Sequence, residues 1–177
     1  VPTDSVIPGL VCVAGMLNFC ALYIQSGGEM IDQDAKQRSD EDASFASGVA
    51  AFETRDFAKA LRFLSPLADQ GEAEAQHRCA IMWQNGLGIV ANAQKAAELM
   101  RAAAEQGHAL AQHGLGFMYM EGECVEQNGE EAVKWFKKAA DQGLVGSMTT
   151  LAMLYEQGNI VEKNPEEAKR LYKLAGF

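Results

Sequence analysis

Three histidines, His77, His108 and His113, carry the side chains best suited to metal ligation or general acid–base work. His77 and His113 stand 36 residues apart, and equivalent positions on packed helices lie about 10 Å from one another, too far to share one ion. A histidine base needs a nucleophile, and no serine occupies a G-x-S-x-G turn. Cys12, Cys20, Cys79 and Cys124 form no C-x-x-C pair and no metal-ligand spacing with a histidine. They read as free, buried thiols in a reducing compartment, and so in the cytoplasm. The acidic pairs Glu130/Glu131 and Glu166/Glu167 could supply an acid and a base, but beside helix starts they serve the helix dipole. NGLG at Asn85–Gly88 lacks the lysine and the preceding strand of a phosphate loop. The reading is of no catalytic residue, no metal and no cofactor.

What must position these side chains follows from composition. The chain has 177 residues, 48% of them hydrophobic, and a formal charge of −9. Such a chain is too apolar for disorder and long enough for one domain or a short repeat array. An acidic balance excludes a general nucleic-acid binder, which needs clustered cations. Frequent alanine with only 8% aromatics suits closely packed helices.

The first 29 residues stand apart. Val6–Ile24 is an uncharged run of nineteen residues, just long enough to span a bilayer, but Pro8, Gly9, Gly15 and Asn18 weaken it. A membrane anchor, an export signal and an extension foreign to the functional domain are the three readings. Residues 30–42 are expected to be an acidic, solvated linker, which leaves 43–177 as the folded part.

That part repeats. Gly71, Gly107 and Gly143 are spaced 36 apart, each preceded by Gln. Counting from each glycine, columns recur at Ala75/Ala111/Ser147, Cys79/Leu115/Leu151, Ala80/Gly116/Ala152, Trp83/Tyr119/Tyr155, Gly86/Gly122/Gly158 and Asn92/Asn128/Asn164. Spacings of four place the first, second and fourth columns on one face of a helix, A. The small residue at the third lets a neighbouring helix approach. Glycine ends helix A and asparagine caps a second helix, B. A shortened unit precedes these, with Asp56 capping its helix B and Pro66 expected to kink it. The units run 43–71, 72–107, 108–143 and 144–177, each a helix hairpin that must stack to hide its core.

ALAQHGLGFMYMEGECV, with Ala111, Leu115, Gly116, Tyr119, Gly122 and Val125, resembles the Sel1-like repeat family, kin of tetratricopeptide repeats. The resemblance covers about residues 43–177 and implies an all-α, right-handed superhelix of four hairpins. Cys124 and Ile160 replace a loop glycine that Gly88 retains, so those loops are expected to bend differently. Paired cysteines of some secreted members are absent, which weighs against inheriting their lactam-directed activities.

By analogy with tetratricopeptide repeats, fixed helix A positions line the concave face. They are Glu74, His77, Ile81, Gln84, Leu110, His113, Phe117, Met120, Thr149, Met153 and Glu156. An apolar stripe of Ile81, Phe117 and Met153 with a polar rim has the composition of a peptide groove, and packing inside the superhelix is the competing reading. The expected function is a non-catalytic scaffold for a protein or peptide. The alternatives are a hydrolase of lactam or cell-wall-like substrates and an assembly factor tethered through residues 6–24. Leu171, Leu174 and Phe177 on the last helix are expected to form an apolar end for self-association.

Overall fold

The computed structural model describes residues 13–177, with side chains from residue 33 onward. Among the described residues there are eight helices and no strand: α1 (Val13–Glu53), α2 (Phe57–Asp69), α3 (Ala73–Asn85), α4 (Ala93–Glu105), α5 (Ala109–Glu121), α6 (Gly129–Asp141), α7 (Val145–Gln157) and α8 (Pro165–Ala175). The described residues divide into two compact units, with the boundary between Ala43 and Ser44.

In the first unit, the stretch expected to be a linker is helical. Residues 33–40 are exposed along α1. From Met30 to Ala43 the sequence holds no proline or glycine and is rich in Asp, Gln, Ala, Lys and Arg, so nothing breaks a helix that burial does not define. Among the described residues no helix is long and apolar enough to cross a membrane. Residues 6–12 and the side chains of residues 13–24, on which an anchor would depend, lie outside what the structure describes, and so do Cys12 and the side chain of Cys20.

The second unit is a superhelical stack of hairpins in which each helix from α2 packs on the next. Local sequence sets each hairpin. The side chains of Asp56, Asn92, Asn128 and Asn164 accept backbone N–H groups at the starts of α2, α4, α6 and α8. Gly86, Gly122 and Gly158 end α3, α5 and α7 in the left-handed conformation. The first hairpin turns within Thr54–Asp56, with Arg55 left-handed, which accounts for its missing loop residues. Pro66 leaves α2 unbroken, its carbonyl accepting the N–H of Gln70. At this late position the amide it lacks belongs to the last helical turn.

The hairpins share interiors. Leu64, Cys79, Met82, Met100, Leu115 and Trp135 belong to one core that crosses the first three hairpins. Phe136, Leu151, Leu154 and Leu171 belong to a second that joins the last two. The neighbours Trp135 and Phe136 thus serve different cores from one helix. A Cβ built on Gly116 would lie 2.7 Å from the Phe136 ring, so that column is small because an aromatic from α6 occupies the space.

Cys124 departs from expectation. Its φ of 64° matches the 72° of Gly88 at the equivalent position, whereas Ile160 is not left-handed. The second and third loops therefore share a bend, and the third holds it with a residue whose Cβ opposes it. Among the described residues Cys79 and Cys124 are free thiols. Burial pushes Cys79 up to about 11 despite a hydrogen bond with Ser65, so it is inert packing material.

Candidate functional site

The concave-face candidates separate into three environments. Phe117, Met120 and Met153 meet in a cleft of about 340 Å³ between α5 and α7, with Glu121, Gln127, Gln157 and Asn159 around it. Phe117 is 37% exposed and Met153 44%. Phe117 is also half embedded, edge-on to Phe136 at 5.2 Å and to His113 at 4.8 Å. It therefore packs the core and presents a rim at once. Leu110 lies earlier on α5, 47% exposed. Thr149 turns its hydroxyl back onto the carbonyls of Val145 and Gly146.

Other candidates are engaged elsewhere. Ile81 packs against the first core, and Gln84 donates to Glu123 at 3.0 Å. Glu156 accepts from the Tyr172 hydroxyl at 3.1 Å and borders a second cleft of about 510 Å³ with Pro165, Lys169 and Phe177. Leu171, expected at the apolar end, is buried, while Leu174 and Phe177 are exposed.

The histidines are arranged differently from the expectation. His77 is only 8% exposed, and its ring lies 4.9 Å from that of His108 at the start of the next hairpin. The donor atoms of Glu74, His77 and His108 all fall within 4.8 Å of one another. His108 caps α5: its Nδ1 accepts the N–H of Ala111 at 3.1 Å. The proton therefore resides on Nε2, which donates to Glu74 Oε2 at 2.5 Å. Arg78 donates to the other Glu74 oxygen at 2.5 Å. Burial raises the Glu74 carboxyl, but the bonds from His108 and Arg78 outweigh it and hold it below the usual range. Burial and then the His108 ring push His77 down to about 4. Equal repeat positions relate His77 to His113 and leave His108 out. The contact instead joins the third and sixth positions of one repeat to the first position of the next.

His113 has a different neighbour, Ser147, whose Oγ lies 2.7 Å from its Nδ1. A serine bonded to an imidazole is the start of a nucleophilic dyad. Ser147 is 0% exposed, however, and a substrate cannot reach an enclosed hydroxyl. Burial lowers the His113 pKa, so the neutral ring acts as a packing and hydrogen-bonding element.

A hairpin stack with capped helices, shared cores and a surface cleft defines an α-solenoid repeat protein. The profile of the Sel1 repeat family matches residues 48–72, 73–108, 109–144 and 146–176, and the chain belongs to that family. Among solved structures it is similar to a Sel1 repeat protein from Oxalobacter formigenes, with 32% identity, a TM-score of 0.69, and coverage of 74% of this chain and 54% of that one. It is also similar to a protective antigen of uropathogenic Escherichia coli displaying an SLR fold, with 27% identity, a TM-score of 0.72, and coverage of 78% and 31% respectively. The chain thus spans about half of the first relative and under a third of the second. No curated protein matches it. Sel1 repeat proteins are generally protein-interaction scaffolds.

Proposed function

We propose that this chain is a non-catalytic scaffold that captures a peptide or protein segment on the α5–α7 surface. The observation that supports this most is the cleft holding Phe117, Met120 and Met153 beneath a rim of Glu121 and Gln157. Exposed apolar side chains with polar neighbours are the composition of a binding patch. Their backbone is fixed by the stack, so little ordering opposes binding. The rim is acidic and amide-bearing, which favours an apolar anchor flanked by basic or amide groups. A photo-crosslinking residue at position 153 should trap a partner that one at position 169, outside this cleft, does not. Equal trapping at both positions would count against the groove.

Contact between copies through Leu174 and Phe177 is a second reading, supported by the 82% exposure of Phe177. Light scattering that shows a concentration-dependent mass, lost in Phe177→Ser, would support it. A concentration-independent mass would not.

A further inference from the structure

We propose that Glu74, His77 and His108 form a binding site for a divalent first-row transition ion, of the zinc class, at the junction of the second and third hairpins. Two imidazoles and one carboxylate are a ligand set for such ions, with a further position left for water. Their donor atoms already lie within 4.8 Å of one another, so small side-chain movements bring them to ligating distance.

A second observation points to a ligand independently of this proximity. His77 is more than nine-tenths buried, and its Nδ1 has no hydrogen-bond partner among the described residues. Buried ring nitrogens are ordinarily paired, and an orphan one asks what satisfies it. His77 stacks on His108, the one imidazole close enough to act with it. Glu74 is oriented from behind by Arg78, which holds Oε1 and leaves Oε2 facing His108. Support of that kind fixes the direction of a metal-ligating carboxylate.

The existing bonds set limits on affinity. Glu74 Oε2 and His108 Nε2 are 2.5 Å apart, so an ion bound by both must displace the proton between them and spread the pair by about 1 Å. For the ring to ligate through Nε2 and stay neutral, that same proton moves to Nδ1, which then no longer accepts the Ala111 N–H. Loss of one cap bond weakens binding about fivefold, and the Arg78 charge weakens it further. The site is therefore of moderate affinity and couples ion binding to the start of α5. An ion there would tie the second and third hairpins together.

The test uses the untagged full chain, stripped with chelator and titrated with Zn²⁺ alone at pH 7.5, with imidazole ¹⁵N and ring ¹H shifts as the readout. Nitrogen resonances of His77 and His108 should move saturably at sub-millimolar Zn²⁺ while those of His113 stay in place. Glu74→Gln should weaken that binding at least tenfold. Should Glu74→Gln not fold, the nitrogen shifts of the unaltered chain decide alone. Unmoved His77 and His108 nitrogens at millimolar Zn²⁺, or equal movement of His113, would overturn the assignment.

Discussion

Gln106 donates a 2.8 Å hydrogen bond from Nε2 to Gln76 Oε1, thirty residues earlier in the chain. The same bond recurs one repeat later between Gln142 and Gln112, again at 2.8 Å. In each pair the earlier glutamine also donates to a helix carbonyl of the preceding hairpin, Ala68 or Ala104. Gln106 and Gln142, each before a repeat glycine, thus brace the two helices of their own hairpin, while Gln76 and Gln112 tie that hairpin to the preceding one. Gln76 and Gln112 are buried, so these amides are worth more than surface contacts of the same length.

Replacing Gln112 with Met, the residue found at the equivalent position 148, should destabilise the fold by about 1–2 kcal/mol. Gln142→Ala added to that variant should cost less than it does alone, because the two side chains share one bond. Urea denaturation of the four proteins in the cycle measures both effects.

The repeat was readable because it is written in local chemistry. Asparagine caps, left-handed glycines and the small column at Gly116 each act within one hairpin or against the next helix, and each appears where its spacing placed it. The pairings of His108 with Glu74 and of Ser147 with His113 were not readable. They depend on how one hairpin is set against the next, a relation that no periodicity within a helix encodes. The helical character of residues 33–40 escaped for another reason: an exposed charged helix carries no apolar rhythm.

Gly116→Ala should destabilise the protein by about 1–3 kcal/mol, since the new methyl would meet the buried Phe136 ring at 2.7 Å. Thermal unfolding should show the loss. Phe136→Leu in the same chain should restore part of it by vacating the edge of the ring.

Cys124→Gly should stabilise the chain by up to about 1 kcal/mol, because glycine holds a φ of 64° without the Cβ penalty. Cys124→Val, β-branched at the same left-handed position, should destabilise it. Chemical denaturation under reducing conditions distinguishes the two directions.

Stability should depend on pH through His113. Burial depresses its folded pKa below the ordinary 6.5, so below that pH the unfolded chain binds a proton that the folded one resists. Its contribution is intact above about 6.5 and declines as pH falls through the window down to the folded value. His113→Gln should therefore flatten the fall in unfolding free energy between pH 7.5 and 5, relative to the unaltered chain. Parallel denaturation series at both pH values provide the comparison.

The proposal that the α5–α7 cleft is a docking groove is tested most directly by selecting displayed peptides on the immobilised chain and measuring their affinity for Met153→Glu and Leu110→Glu. Both side chains are about half exposed, so neither change should shift the melting temperature by more than a degree or two. The account predicts enriched peptides with an apolar anchor whose binding weakens at least tenfold in Met153→Glu. Peptides that bind both variants as tightly as the unaltered chain would contradict it.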